Sequence, residues 1–198
     1  RIAAQTGYQY VGLRLWPNAQ GAPQQHLLGQ PEALREALAA QKDTGVGVFD
    51  LEIIRINEAF DPHTWDALYD VGAQLKAKAI LVAGDDDNEA RLTENYARLC
   101  EVMQPYGMTA DLEFMPWTAV KDAKSALRIV QNAGMPANAG ILVDALHFGR
   151  STTTLEDIRA IPRQLLHYAQ ICDAEAGLNF TVEQMIHTAS SSVKASGS

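Results

Sequence analysis

The sequence predicts an α/β protein whose strands form one parallel sheet, and three observations support this prediction. Six times, an apolar run of strand length is followed by a segment in which apolar residues recur with helical spacing. Such alternation needs crossover connections, which place neighbouring strands parallel. The loops between these units are mostly short, as βα units prefer. No Gly-rich dinucleotide-binding turn follows the first strand, which disfavours an open nucleotide-binding sheet.

The strands are assigned from their apolar runs, and the helices from spacing and end signals. The predicted strands are Tyr8–Trp16, Val46–Ile56, Lys78–Gly84, Met108–Pro116, Ala139–Phe148 and Leu165–Asp173. The predicted helices are the end of one at Arg1–Thr6, then Pro31–Gln41, one opening at Asp61, one that follows Asn88 and ends at Tyr106, Thr118–Ala133 and Thr154–Ile161. Pro31 and the pair Asp61-Pro62 are start signals. Gly107 and Gly134 are stop signals.

The strand count favours a barrel that is incomplete at both ends. A closed (β/α)8 barrel has eight units and typically about 250 residues. The chain has 198 residues and six predicted strands, begins inside a helix and ends soon after the sixth strand. The predicted fold is therefore a TIM (β/α)8-type barrel whose first and last strands are not evident. The barrel domain is expected to span residues 1–189, and the Ser-rich residues 190–198 are expected to be a disordered tail or linker.

Composition excludes several classes of function. The formal net charge of -8 and the pI near 5.0 argue against nucleic acid and anionic membranes as partners. No apolar run approaches the ~18–20 residues of a membrane span. Cys100 and Cys172 form no motif, so they are expected to be buried free thiols in a reducing cytoplasm.

Acidic or amide side chains lie near the ends of four predicted strands, at Glu52, Glu113, Asp144 and Gln170. Ligands bind at the carboxyl ends of strands in parallel sheets. Because side chains alternate along a strand, Glu113, Asp144 and Gln170 can share one face. Carboxylate and amide oxygens suit Mg²⁺ or Mn²⁺. The alternative is that each of these groups merely caps its strand end or the following loop.

Other polar residues near these ends are candidates for substrate binding. His147 follows Asp144 by three residues and could hydrogen-bond a substrate oxygen or carry a proton, or it could be structural. Arg150 could hold an anionic or hydroxylated substrate, or be a solvated loop residue. Arg14 and Glu52 could bind substrate or pair with each other across adjacent strands.

Three further features receive no catalytic role. The run Asp85-Asp86-Asp87 is expected to be a solvated loop that supplies charge to a helix N-terminus. Trp117 is expected to pack against a helix or wall a pocket. The remaining histidines, including His167, show no partner spacing.

Three stretches resemble the sugar phosphate isomerase/epimerase family of xylose isomerase-like TIM barrels. They are Asp111-Leu112-Glu113-Phe114, then Val143-Asp144-Ala145-Leu146-His147-Phe148-Gly149-Arg150-Ser151, then His167-Tyr168-Ala169-Gln170-Ile171-Cys172-Asp173. The opening residues 7–14 resemble the second strand of those barrels. The resemblance covers most of residues 1–175.

The resemblance implies that Glu113, Asp144 and Gln170 are metal ligands and that His147 contacts substrate. The family's fourth ligand, a glutamate, comes from an eighth strand that this sequence does not show, and Glu183 is not assigned that role. Gly12 stands where many relatives carry a glutamate. Members of the family include ketose 3-epimerases, hydroxypyruvate isomerase-like enzymes and dehydratases of inosose and dehydroshikimate.

The function implied is a divalent-metal-dependent isomerase or epimerase of a small sugar, sugar phosphate or other polyhydroxy carbonyl compound, acting through an enediolate. Glu113 would be ligand and base, and His147 would stabilise the oxyanion. Mn²⁺ or Mg²⁺ is the expected cofactor, with Zn²⁺ or Co²⁺ as alternatives.

Two alternatives stay open. One is a metal-dependent dehydratase of the same family. The other is a catalytically inactive barrel fragment, for which a homo-oligomer could cover the exposed sheet edges. A nuclease of the endonuclease IV type is disfavoured, because the five histidines form no cluster.

Overall fold

Six parallel strands form a curved sheet in the computed structural model, which describes residues 1–16, 25–172 and 181. The strands are β1 Tyr10–Arg14, β2 Gly47–Ile56, β3 Ala79–Gly84, β4 Thr109–Glu113, β5 Ala139–Asp144 and β6 Ala169–Gln170. The helices are α1 Ile2–Gln5, α2 Pro31–Thr44, α3 Asp66–Leu75, α4 Glu89–Met103, α5 Ala123–Asn132, α6 Ala145–Arg150 and α7 Leu155–Ala160. Short 3₁₀ turns occupy Pro62–Trp65, Gln104–Tyr106 and Arg163–Leu165.

The strand order distinguishes a barrel from a doubly wound sheet. Neighbours follow the chain from β1 to β6, and every pair is parallel. A doubly wound sheet would reverse its order at a switch point, whereas a barrel does not. The six strands therefore form a half-barrel, which confirms the predicted incomplete (β/α)8-type architecture.

The two faces of the half-barrel carry different cores. Ile80 and Val82 of β3 belong to the large apolar core between the sheet and the helices. Leu81 and Ala83 alternate with them and belong to a small cluster on the concave face. This alternation is the pleat of a strand that is buried on both faces. The concave face is the one that carries the candidate site.

A tyrosine fixes β4 and β5, the two strands that carry this site. The Tyr96 hydroxyl of α4 donates to Ala110 O at 2.8 Å and accepts from Gly140 N at 3.3 Å. Tyr96 is fully buried. One hydroxyl thus satisfies a backbone group of each strand, which a buried phenol needs in any case.

Most predicted end signals are confirmed. Gly107 and Gly134 adopt positive φ values of 72° and 83° after their helices. Asp61 accepts a hydrogen bond from His63 N and starts the turn at Pro62, as a cap should.

Several boundaries differ from the prediction, among them the following three. The helix expected from Thr118 begins at Ala123, because Asp122 and Ser125 form a reciprocal capping box. The strand expected to continue to Phe148 ends at Asp144, which caps α6. The sixth strand, predicted over Leu165–Asp173, is confined to Ala169–Gln170 among the described residues.

Some predictions concern residues outside the described ranges. Asp173, Glu183 and the Ser-rich residues 190–198 all lie there. The predicted domain boundary at residue 189 therefore stays a prediction. Within the described part of the chain, no helix has the length and apolar character needed to cross a membrane.

Candidate metal centre

Three buried side chains meet at the carboxyl ends of two adjacent strands. Glu113 is the last residue of β4, Asp144 is the last residue of β5, and His147 lies in α6 directly after β5. Each of them offers a ligand atom, and these atoms all lie within 4.8 Å of one another. The three residues are 3%, 2% and 7% exposed, respectively. The ends of β4 and β5 and the start of α6 thus bring together two carboxylates and an imidazole.

Asp144 organises the corner of the site where Glu113, Asp144 and His147 meet, and its two carboxylate oxygens have different partners. Its Oδ1 accepts from Leu146 N at 2.7 Å and from His147 N at 3.1 Å, which starts α6 and fixes the backbone that carries His147. Its Oδ2 accepts only from the Cys172 thiol among the described residues, at 3.3 Å. Burial and the Asp144 carboxylate raise the pKa of Cys172 to about 12, so this group stays a thiol. Oδ2 therefore has room for a further partner.

One ring nitrogen of His147 lies near Glu113, and the other has no hydrogen-bond partner among the described residues. Its Nε2 lies 3.4 Å from Glu113 Oε1, and its Nδ1 has no hydrogen-bond partner in the described part of the chain. The Trp117 ring packs edge-on at 4.8 Å. Burial lowers the pKa of His147, and this effect is larger than the opposite effect of the Asp144 charge. The imidazole is therefore neutral near pH 7. A buried, unpartnered nitrogen of this kind fits contact with a ligand.

The electrostatics of the corner favour a cation. Burial raises the pKa of Glu113 well above its usual value, and the charges of Asp144, Glu52 and Asp50 raise it further. Arg55 acts in the opposite direction. Hard oxygen donors crowded in a dry site match the chemistry of a divalent ion, which would relieve their repulsion. The residues present therefore fit a divalent metal ion.

The other predicted site residues are placed as follows. Gln170 pairs with Asp144 in strand register, and its Nε2 lies 3.4 Å from Asp50 Oδ2. Arg14 forms an ion pair with Glu52, with Nε at 3.0 Å from Oε2, so the pairing alternative is the one observed. Arg150 ends α6 and is half-buried. The substrate-binding roles of Arg14, Glu52 and Arg150 stay predictions.

Sequence reasoning missed Asp50, a carboxylate on the concave face. Asp50 is 6% exposed and accepts a hydrogen bond from the Tyr168 hydroxyl at 3.2 Å. Burial, helped by the charge of Glu52, raises the pKa of Asp50 to about 6. The available signal was an acidic residue between the apolar residues Phe49 and Leu51 of β2, where a buried charge needs a partner.

Sequence reasoning also missed the pair formed by Asp111 and His167. The His167 Nδ1 lies 2.7 Å from Asp111 Oδ1, and Asp111 is fully buried. The two residues are 56 positions apart in the chain, so no local spacing could reveal the pair.

The expectation of a solvated loop at the acidic run is wrong for Asp86. Asp86 is buried and accepts two hydrogen bonds from Arg91, at 2.6 and 2.8 Å. Asp85 pairs with Arg55 at 2.7 Å. Two of the three carboxylates thus stabilise the β3–α4 connection.

Known structures share this fold at low sequence identity. The IolI protein, solved with a zinc atom, is 16% identical, with a TM-score of 0.72 over 92% of this chain and 70% of its own. The probable 3-DHS dehydratase AsbF from Bacillus anthracis is 18% identical, with a TM-score of 0.69 over 88% and 66%. D-allulose 3-epimerase from Methylomonas sp., solved with D-allulose, is 15% identical, with a TM-score of 0.66 over 96% and 72%.

The chain spans about two thirds of the length of these three proteins. No curated protein sequence matches it. A sequence model of one family does match, the xylose isomerase-like TIM barrel, and it covers residues 1–183. Fold, strand order and sequence model agree, and the chain belongs to the xylose isomerase-like TIM barrel family.

Proposed function

We propose that this chain carries the metal centre of a divalent-metal-dependent isomerase or epimerase of a small sugar, sugar phosphate or other polyhydroxy carbonyl compound. The observation that carries the proposal is the meeting of Glu113, Asp144 and His147 within 4.8 Å at the strand ends. The epimerases among the structural neighbours support the same class of reaction. The substrate is a small molecule; self-association and a cytoplasmic location stay predictions.

Glu113 and Asp144 would hold the ion, together with the amide oxygen of Gln170. Mn²⁺ or Mg²⁺ suits these oxygen donors. Zn²⁺ and Co²⁺ are alternatives, and the IolI structure contains zinc. When bound, the ion would supply Lewis-acid stabilisation of negative charge on substrate oxygens.

The side chains of the chain itself supply proton transfer and orientation. Glu113 is the candidate base that takes a proton from the carbon beside a carbonyl. In an isomerase, Glu113 can return this proton to the neighbouring carbon. In an epimerase, a second acid on the other side of the substrate would deliver a proton to the opposite face of the same carbon; in the family this is the fourth-ligand glutamate, which is not assigned in this chain. His147 is neutral and buried, so it can hydrogen-bond the substrate oxygen on which charge develops. Trp117 packs on its ring and limits its orientation.

A dehydratase shares the first of these steps. Removal of a proton beside a carbonyl, followed by loss of a β-hydroxyl, gives water and a conjugated carbonyl product. The structural similarity to AsbF makes this the second candidate. The products separate the two functions, because only the dehydratase generates a new ultraviolet chromophore.

Metal binding is the first test. Mn²⁺ should raise the melting temperature of the parent protein, and Glu113→Gln combined with Asp144→Asn should abolish the shift. Glu156→Gln removes an exposed carboxylate of α7 and is the matched control, which should keep the full shift. An unshifted melting temperature in the parent would contradict the proposal.

The role of His147 can be separated from that of the ligands. Calorimetry should give His147→Ala a Kd for Mn²⁺ within about threefold of the parent, whereas Asp144→Asn should lose tenfold or more. Incubation of the Mn²⁺-loaded protein with candidate ketoses in D₂O should place deuterium at the carbon beside the carbonyl, and His147→Ala should slow this exchange. Equal loss of Mn²⁺ affinity in both variants would instead make His147 a ligand.

A further inference from the structure

The carboxylate of Asp50 lies on the concave face because of a local irregularity between β1 and β2. Val11 pairs with Val48, but Leu13 pairs with Leu51, so Phe49 and Asp50 together lie opposite Gly12. One extra residue on one strand is a β-bulge, which redirects side chains and is frequent beside functional sites. Phe49 and Asp50 consequently line one cleft, although neighbours along a regular strand would face opposite sides.

Gly12 provides the space that the Asp50 carboxylate occupies. A Cβ atom at position 12 would lie 2.5 Å from Asp50 Oδ1, closer than any ordinary contact. The carboxylate therefore packs directly against the backbone of β1. Its other oxygen, Oδ2, is directed across the cleft towards residues 168–170, which comprise Tyr168 and strand β6.

Two side chains of residues 168–170 donate hydrogen bonds to Asp50 Oδ2. Asp50 Oδ2 accepts from the Tyr168 hydroxyl at 3.2 Å and from Gln170 Nε2 at 3.4 Å. The Phe49 ring packs on the Tyr168 ring at 5.0 Å and holds the phenol in place. Asp50 is 6% exposed, so water competes little for these contacts. The carboxylate is thus held from three sides, by Gly12, Tyr168 and Gln170.

The contact with Gln170 has a consequence for the amide of that side chain. A carboxylate accepts hydrogen bonds, so the amide group that faces it is the NH₂. The carbonyl oxygen, Oε1, is then left for another partner. Since Gln170 and Asp144 are register partners on β6 and β5, this oxygen belongs to a side chain that starts beside a candidate metal ligand.

We propose that Asp50 is a positioning residue that fixes the orientation of the Gln170 amide, so that Oε1 is presented to the metal centre. This inference rests on the proposed metal site and assigns a role to the bulge and to Gly12. Partners of this kind, behind the ligands of a metal, typically change affinity 10- to 100-fold when they are mutated.

A double-mutant cycle for Mn²⁺ binding tests the proposal. Calorimetry with Mn²⁺ alone is carried out on the parent protein, Asp50→Asn, Gln170→Ala and the double variant. An amide at position 50 can pair with either end of the Gln170 amide, so Asp50→Asn removes the preference for one orientation. The Kd for Mn²⁺ should rise about tenfold in Asp50→Asn and less than twofold when the same change is made in Gln170→Ala.

The outcomes separate positioning from charge. If the loss of the Asp50 charge alone weakens binding, the Kd rises by the same factor in both backgrounds, which overturns the positioning role and leaves the metal site standing. If the parent binds Mn²⁺ no better than Glu113→Gln with Asp144→Asn, the metal site and this inference both fail.

Folding of the variants is checked by their melting temperatures without metal. If Asp50→Asn does not fold, Tyr168→Phe replaces it in the cycle, because it removes only the hydroxyl that holds Asp50. A smaller effect of Tyr168→Phe in the Gln170→Ala background than in the parent supports the proposal, and an equal effect overturns it.

Discussion

At the scale of single residues, Asp144 combines a structural and a chemical task on its two oxygens. Oδ1 caps α6, Oδ2 accepts from the Cys172 thiol, and the carboxylate contributes to the cluster with Glu113 and His147. The residue type is constrained by both tasks, because asparagine can cap a helix equally well but contributes no charge. Substitutions at this position can therefore separate folding from metal binding.

We expect Asp144→Asn and Asp144→Ala to differ in stability but not in metal binding. Without metal, Asp144→Asn should keep the free energy of unfolding within about 0.5 kcal/mol of the parent, whereas Asp144→Ala should lose about 1–2 kcal/mol with the cap. Neither variant should be stabilised by Mn²⁺. Urea unfolding with EDTA or with Mn²⁺ measures both effects. Equal stability of the two variants without metal would contradict the capping role.

The pair of His167 and Asp111 should make stability depend on pH. The hydrogen bond to Asp111 raises the pKa of His167 above its ordinary value of about 6.5, against partial burial and the nearby charge of Arg163. A raised pKa in the folded state means that protonation stabilises the fold. This stabilisation is complete below pH 6.5 and is lost as the pH rises through the folded pKa.

His167→Gln should therefore destabilise the protein more at pH 6 than at pH 9. Urea unfolding of the parent and of the variant at both values gives the difference. The titration of His167 followed by NMR should shift towards lower pH in Asp111→Asn. A difference in unfolding free energy that is the same at both pH values would disprove the contribution of the charge.

At the scale of secondary structure, glycine signals predicted where helices stop, whereas hydrogen bonds of particular side chains and pairing between strands decided other boundaries. Gly107 and Gly134 end helices because their φ values are positive, a property visible in the sequence. The connection after β4 was not visible, because the Thr118 hydroxyl bonds Met115 O and Val120 O and holds a loop where apolar spacing suggested a helix. The bulge at Phe49 was equally hidden, since it depends on the partner strand.

Gly12→Ala tests this bulge as a structural element. The added Cβ would meet Asp50 Oδ1, whose carboxylate is held by Tyr168, so we expect a loss of about 1–3 kcal/mol in unfolding free energy. Gly149→Ala is the matched control, because a Cβ there meets nothing within 4 Å and alanine favours helix α6. Denaturant unfolding compares the two. A loss no larger in Gly12→Ala than in Gly149→Ala would show that β1 yields to the added methyl group.

At the scale of the whole molecule, the predictable part of the site is the part defined by strand ends. Glu113 and Asp144 could be placed because parallel strands bring their carboxyl ends to one edge of a sheet. Contacts across the concave face could not be placed, since Asp50 and Tyr168 are 118 positions apart. Three carboxylates from three different strands reach the segment 167–172, namely Asp111 to His167, Asp50 to Tyr168 and Gln170, and Asp144 to Cys172.

This arrangement predicts that protection of the β6 amides from hydrogen exchange depends on the metal. In the described part of the chain the backbone of β6 pairs with β5 at Ala169 and Gln170, so side-chain contacts carry much of its attachment. Its amides should exchange with solvent through local opening, at a lower free energy than those of the fully buried strand β3. Mn²⁺ bound by Glu113, Asp144 and Gln170 would join β6 to β4 and β5, and exchange at β6 should slow.

Hydrogen exchange with and without Mn²⁺ measures this coupling. Exchange at β6 should slow at least tenfold in the parent and remain unchanged in Asp144→Asn, while β3 serves as the internal reference in both proteins. An unchanged rate at β6 in a parent that binds Mn²⁺ by calorimetry would mean that Gln170 is not a ligand. Among the described residues, the ion would then be held by Glu113 of β4 and Asp144 of β5, and the contacts of Asp50 with β6 would serve only to attach that strand to the rest of the half-barrel.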